Sequence, residues 1–266
     1  MKVKAYSPSE TVLSPPPLIT IAVPSLNQAR YLEEALASIF AQDLPLEVFV
    51  ADGGSSDESV EIIRRHAFRL SGWRSHPDGG QAAAINECIA RGSAPYVCWL
   101  NSDDLLLPDG LVALLRKLQK CVAAPAAYGR AWNLIEQTQQ RSPVWVEPFE
   151  VRRLARRCIV SQPASLIRRS AWEAIGGLDE SLHFAIDYDL WWRLYRECGP
   201  LEFVDRLVAI NRIHPQTKSS NNRYEHFREG VAVVRRHGGR VPLWATLLPM
   251  RLRWRLARAK RWIMRK

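Results

Sequence analysis

Residues 18–27 read Leu18-Ile19-Thr20-Ile21-Ala22-Val23-Pro24-Ser25-Leu26-Asn27, an apolar run that passes into polar residues. Residues 46–52, Leu46-Glu47-Val48-Phe49-Val50-Ala51-Asp52, do the same. Both are short and rich in β-branched residues, which suits a buried strand. Between them, residues 28–42 place Leu32, Ala35, Leu36, Ile39 and Phe40 at helical spacing. A third apolar run, Pro95-Tyr96-Val97-Cys98-Trp99-Leu100, ends at Asn101-Ser102-Asp103-Asp104. The pattern also predicts helices over 57–66, 81–91 and 108–120. Strand alternating with helix implies an α/β fold with a largely parallel sheet and helices on both faces. Ligands of such sheets bind beyond the carboxyl ends of the strands. Asn27, Asp52 and Asp103-Asp104 fall at that edge.

The second half is less regular. A helix is predicted near 187–197, and a strand-like stretch over 201–211 leads to His214. Residues 1–17, with Pro8, Pro15, Pro16 and Pro17, read as an irregular lead-in. Residues 18–220 read as a single domain, with a first half over about 18–124 and a second over about 125–220. Residues 221–266 read as a helical basic tail.

Composition narrows the class. Of 266 residues 47% are hydrophobic and 24% charged, enough for an ordinary packed core. No uninterrupted apolar run reaches the roughly 18 residues of a spanning helix. The opening Met1-Lys2-Val3-Lys4 lacks the apolar run of a secretory signal. The five cysteines form no CxxC pair, which argues against zinc and for a reducing, cytoplasmic compartment. Net charge is +10, but 243–266 alone holds eight Lys or Arg and no acid, leaving 29 basic against 27 acidic residues elsewhere. Basic character confined to one end, with no recognition motif, argues against a nucleic-acid partner. In that end Leu252, Leu256, Ala259 and Ile263 form a narrow apolar stripe, with Trp254 and Trp262 toward its borders and Arg and Lys around it. Such a helix either rests on an anionic membrane surface or packs on its own domain.

Four constellations carry possible chemistry, each with a plainer reading. Asp103-Asp104 either caps the helix at 108 or holds a divalent cation that relieves the repulsion of two carboxylates. Asp52-Gly53-Gly54-Ser55-Ser56-Asp57 is either an ordinary turn or a loop whose glycines let backbone approach a ligand, with Asp57 capping the next helix. Asp187 and Asp189 open an apolar helix, as caps or as a general base. His214 is a surface or core residue, or a ligand to metal or phosphate. Trp132, Trp145, Trp191 and Trp192 either pack in the core or stack on sugar rings.

Taken in order, these pieces resemble glycosyltransferase family 2 with its GT-A fold. The matching text is Ile21-Ala22-Val23-Pro24-Ser25-Leu26-Asn27, Val50-Ala51-Asp52-Gly53-Gly54-Ser55-Ser56-Asp57, Asp78-Gly79-Gly80-Gln81, Ala84-Ile85-Asn86 and Trp99-Leu100-Asn101-Ser102-Asp103-Asp104. It continues with Gln162-Pro163-Ala164, Gly176-Gly177-Leu178-Asp179-Glu180, Asp187-Tyr188-Asp189-Leu190-Trp191-Trp192-Arg193 and Arg212-Ile213-His214. The resemblance implies a Rossmann-like nucleotide-binding half joined to an acceptor half. It implies an inverting enzyme that moves a sugar from a nucleoside-diphosphate sugar, UDP-linked by preference, to a hydroxyl of a saccharide or lipid-linked saccharide. Cell-surface polysaccharide or glycolipid synthesis, on the inner face of the cytoplasmic membrane, is the setting it suggests. Pro24, Asn27, Asp52, Asp78, Gln81 and Asp103 would contact the nucleotide sugar. Asp104 and His214 would hold Mn²⁺ or Mg²⁺, and Asp187 would be the base, with Asp189 second. The text departs from many members at Asn101, where an Asp is common, and at Ala83, where an acid is common. A non-catalytic nucleotide-sugar binder and a sugar-phosphate nucleotidyltransferase are the alternatives. The latter usually opens with a Gly-rich basic loop, where this chain has Pro24-Ser25-Leu26-Asn27.

Overall fold

A computed structural model describes residues 15–218, 222–239 and 241. The lead-in up to residue 14 and the stripe over 243–266 lie outside the described residues. The first half follows the predicted alternation: β1 (Ile19–Ser25), α1 (Ala29–Phe40), β2 (Leu46–Asp52), α2 (Ser59–His66), β3 (Gly72–Ser75), α3 (Gln81–Arg91), β4 (Tyr96–Trp99), β5 (Leu105–Leu106) and α4 (Gly110–Lys120). The second half contains β6 (Ala126–Ile135), β7 (Gln140–Pro143), α5 (Val151–Leu154), β8 (Ser165–Arg168), α6 (Arg169–Ala174), α7 (Ile186–Cys198), β9 (Glu202–Ile213) and α8 (Arg223–Arg236).

The strands form one sheet in the order β3-β2-β1-β4-β8-β6-β9-β5, with β7 on β6. Strands β3, β2, β1 and β4 are parallel, as expected. Beyond them β8 runs antiparallel to both β4 and β6, while β6 and β9 are parallel. The expected parallel sheet thus describes the first half, and the second half is mixed. Strand β6 escapes sequence reading because Gly129 and Arg130 break its apolar pattern at a bulge against β9.

Period-two alternation splits the core between the two faces. Ile19, Ile21 and Val23 of β1 join α1, α2 and α4 on one face, whereas Ala22 joins α3, α6 and α7 on the other. Register sets the functional rim. Ser25 pairs with Asp52, and Ala22 with Trp99, so the carboxyl ends of β1, β2 and β4 lie side by side. Trp99 then ties the second half to that rim. Its ring stacks on Trp191 of α7 at 6.4 Å and meets Trp172 of α6 edge-on at 6.2 Å. Such pairs contribute about 1 kcal/mol each beyond area burial. Trp191 and Trp192 are therefore core residues, while Trp145 is 57% exposed.

Helix α8 packs on α7 and buries Val233 and Val234 in the same core. The described part of 221–241 thus shares the domain's core. Among the described residues no helix is long and apolar enough to cross a membrane. All five cysteines are free.

Candidate active site

Two loops build one side of the rim. Asp52 ends β2 fully buried, and its Oδ2 accepts the backbone N–H groups of Gly54 (3.1 Å) and Ser55 (2.9 Å) and the Ser75 hydroxyl (2.7 Å). The Ser55 hydroxyl donates to its Oδ1. This carboxylate therefore organises the Gly-Gly-Ser-Ser turn from within. Gly54 has φ +86°, and a Cβ there would lie 3.1 Å from Pro77, so the turn requires glycine. Asn27, itself at φ 53°, accepts the Ser56 N–H at 2.9 Å. Asp57 accepts the N–H groups of Ala29 and Ser59, the first residues of α1 and α2, and so caps both helices. Burial opposes ionisation of Asp57, but these hydrogen bonds prevail and lower its pKa.

The exposed surface beside Asp52 belongs to other residues. Gly53 lies between Leu26 and Asp78, since a Cβ there would sit 3.4 Å from the Leu26 side chain and 3.7 Å from Asp78 Oδ2. Leu26 is 55% exposed. Asp78 is pinned by the buried Arg74 at 2.9 Å, which also reaches Glu87 and the Asp52 carbonyl. Pro24 is buried, and Ser25 Oγ is buried without a hydrogen-bond partner.

The loop after β4 forms the centre. Asp104 is buried; its Oδ1 accepts the Arg212 N–H at 3.0 Å and its Oδ2 the Asn101 amide at 3.1 Å. Burial, and then the neighbouring Asp103 charge, push its carboxyl well above the usual range. Asp103 meets His214 Nε2 at 2.9 Å, although the two are 111 residues apart in sequence. The His214 ring is fully buried against Tyr31, with ring centres 4.4 Å apart. Gln81 donates to Asn101 at 2.8 Å and accepts from Lys218 at 3.3 Å. A hydrogen-bonded chain thus links Lys218, Gln81, Asn101 and Asp104 across both halves.

The two acids of α7 have separate fates. Asp189 is fully buried, paired with Arg193 at 2.6 Å and His237 at 2.9 Å. Arg193 carries the link onward to the carbonyls of Ile175 and Gly177. Asp187 is half-buried and accepts the Tyr188 N–H at 2.8 Å. Burial raises its pKa, against that bond and the His226 charge. The start of α7 is held by Glu229 of α8, whose carboxylate accepts the N–H groups of His183, Phe184 and Ala185. Below it, Asn86 of α3 grips the turn before α7, accepting the Leu178 N–H (2.9 Å) and donating to its carbonyl (3.0 Å). Gly177, at φ +73°, must be glycine there, because a Cβ would lie 2.7 Å from Asn86 Oδ1.

The rim thus gathers Asn27, Asp52 and Asp78 on one side, and Gln81, Asp103, Asp104 and His214 at its centre. Asp187 stands one helical turn before Trp191, which packs on the end of β4. Lys218 and Glu229 act across 137 and 46 residues, so no local pattern marks them. Arg74 pairs with Asp78 four residues on, but in a stretch with no regular period to mark the pair.

A parallel sheet running into a mixed sheet, with acids at the shared rim, is the GT-A glycosyltransferase fold. Residues 20–176 match the model of glycosyl transferase family 2, and the chain belongs to that family. A chondroitin synthase of Escherichia coli is 25% identical over 206 residues, which are 76% of this chain and 30% of that protein. This chain therefore spans about a third of that relative. An uncharacterized glycosyltransferase of Rickettsia prowazekii is 26% identical over 230 residues, covering 80% of this chain and 70% of that one. Among solved structures, Staphylococcus aureus TarS in complex with UDP-GlcNAc superposes with a TM-score of 0.66 at 17% identity, over 81% of this chain and 66% of that one. The Pyrobaculum calidifontis mannosyltransferase PcManGT, in complex with GDP-Man and Mn²⁺, gives 0.62 at 19%, over 82% and 65%.

Proposed function

We propose that the chain transfers a sugar from a nucleoside-diphosphate sugar to an acceptor hydroxyl, inverting the anomeric carbon, with Asp187 as general base. The observation that carries this reading is the contrast within α7. Asp189 is consumed by Arg193 and His237, whereas Asp187 has no ion-pair partner among the described residues and is held by backbone N–H groups. A raised, half-buried carboxyl is suited to take a proton from a hydroxyl. As the hydroxyl oxygen forms its bond to the anomeric carbon, its proton passes to Asp187 and the diphosphate departs on the opposite face. Direct displacement with one base inverts the centre.

The donor would lie along the rim. Its base would rest on Leu26 and Gly53, beside the loop that Asp52 builds, with Pro24, Ser25 and Asn27 framing it and Asp78 toward the base or ribose. Gln81 and Asp103 would approach the ribose and diphosphate, with Lys218 adding positive charge. UDP is the favoured nucleotide, in line with the TarS complex, and the GDP-Man complex supports the same donor class.

Asp103 and Asp104 are of the type that Mn²⁺ or Mg²⁺ takes as ligands. Asp104, with Asp103 and His214 beside it, offers hard oxygens and one imidazole, and two adjacent carboxylates favour a nearby cation. Among the described residues no group of three or more His, Cys, Asp or Glu is placed so that it could hold a metal ion by itself. The protein would therefore supply few ligands, and diphosphate and water the rest. Such a cation offsets the diphosphate charge. The acceptor would be a saccharide or lipid-linked saccharide of cell-surface assembly, reached from the inner face of the membrane.

A thermal-shift series with UDP, GDP and dTDP, each with and without Mn²⁺, tests donor and metal together. The expected outcome is stabilisation by one nucleotide, much larger with Mn²⁺. Equal response to all three, or none, would sink the reading. Proton NMR of the product checks inversion.

A further inference from the structure

The segment between β7 and β8 carries four arginines within six residues, Arg152, Arg153, Arg156 and Arg157, and no acid from 151 to 158. All four are exposed. Arg153 is spent on Glu147 and Glu150, at 2.6 and 3.0 Å. Among the described residues no carboxylate pairs with Arg152, Arg156 or Arg157. Arg157 lies over the exposed Trp145 ring, 4.0 Å from its centre, and the Trp145 indole N–H donates to Glu147. The indole is thus fixed in orientation while more than half its surface stays in water. A large exposed ring held in place, with one guanidinium stacked on it and two more without a carboxylate partner on the adjoining segment, marks a binding surface.

Its position relates it to the reacting groups. The hydroxyl of Tyr188, the residue after Asp187, donates to the carbonyl of Leu154, in the middle of the arginine run. Cys158 follows Arg157 directly, and after burial the Asp187 charge is the next cause that raises its thiol pKa. Trp145 is held alongside this segment through the Glu147 N–H, which donates to the Ile159 carbonyl at 3.4 Å.

We infer that Trp145 with Arg152, Arg156 and Arg157 forms an acceptor subsite for a saccharide that carries a carboxylate or phosphate. The indole face away from Arg157 would take the C–H side of a sugar ring, and guanidinium forks match carboxylate and phosphate oxygens. The inference rests on the reading of Asp187 as the base of a sugar transfer, since that residue defines where the acceptor hydroxyl stands. A saccharide is favoured over a bare anionic membrane because an oriented indole, held alongside the segment that Tyr188 contacts, suits a ring, and a lipid headgroup layer needs no such platform.

The test uses the full chain, a uronate-containing tetrasaccharide and its carboxyl-reduced neutral counterpart, with binding followed by NMR line broadening and transfer by product formation. The uronate form is expected to bind about tenfold tighter than the neutral one at low salt, with the gap shrinking as salt rises. R152Q/R156Q should erase the gap while donor-induced thermal stabilisation is unchanged. W145A should weaken both saccharides alike. A lipid-linked pyrophosphate sugar in neutral detergent micelles shows whether phosphate substitutes for carboxylate; loss of its binding in R152Q/R156Q supports the same subsite. Equal binding of charged and neutral saccharides would overturn the inference, as would arginine-dependent binding to anionic vesicles without discrimination between the saccharides. If donor binding persists in either case, the inference alone fails. Absence of donor binding as well would condemn the reading beneath it.

Discussion

The side of the rim that carries Asp52 and the side that carries Asp187 are built by opposite means. On the first, Asp52, Asn27 and Asp57 hydrogen-bond to loops only a few to about thirty residues away, and parallel pairing of β1, β2 and β4 lines those loops up. On the second, Asp187 has little local support. Its helix is placed by the Trp191–Trp99 stack, by Asn86 below, and by Glu229 of α8. The difference teaches that one half of the rim is locally encoded loop chemistry and the other is a tertiary assembly around one helix.

The largest expected effect separates the two acids of α7. Asp187→Asn should cut transfer about a thousandfold with nucleotide binding kept. Because burial raises the Asp187 pKa, its ionised form costs folding free energy, so this variant should not lose stability at neutral pH. In the parent enzyme the rate should fall as pH drops through that raised pKa, above the ordinary carboxylate range. A kcat profile without such an acid limb would break the assignment.

Asp189→Asn should do the reverse. It leaves Arg193 and His237 without their buried carboxylate, at a cost of about 3 kcal/mol in urea unfolding. Residual transfer in the folded fraction should exceed that of Asp187→Asn by a wide margin. If Asp189→Asn were stable and inactive, the roles would have to be exchanged.

Asp52→Ala tests the side of the rim that Asp52 organises. Removing an acceptor of four hydrogen bonds should cost about 2 kcal/mol and weaken nucleotide stabilisation, with the acceptor KM little changed. Glu229→Gln is the smallest, about 1 kcal/mol, with kcat reduced severalfold and the donor KM unchanged. Burial opposes ionisation of Glu229, but three backbone donors prevail and lower its pKa. Its contribution is therefore full above the ordinary carboxylate range and is lost as pH falls through the lowered value. The stability gap between parent and Glu229→Gln, read from unfolding midpoints, should close in acid.

How far the sequence could be read follows the same division. Strands β1, β2 and β4 and helices α1, α3 and α4 were legible because buried strands and amphipathic helices write their period into consecutive residues. Strand β3 is Gly72-Trp73-Arg74-Ser75, with no apolar run like that of β4, and β6 is broken by Gly129 and Arg130, so neither leaves a pattern to find. The motif acids were legible as types: carboxylates after strand ends, and a pair of acids opening a helix. Their state was not. Asp187 and Asp189 look alike in the sequence, and only packing against Arg193 and His237 removes one from chemistry.

The amino-acid sequence by itself determined the alternating first half, the family, and the set of acids that the rim would carry, because these depend on periodicity and on residues within one loop. The tertiary structure alone decided that His214 meets Asp103, that Lys218 reaches Gln81, and that Glu229 holds the helix of Asp187. Each of those contacts joins residues 46 to 137 positions apart. Whether such distant groups meet depends on how the sheet and its helices pack, which no local pattern records.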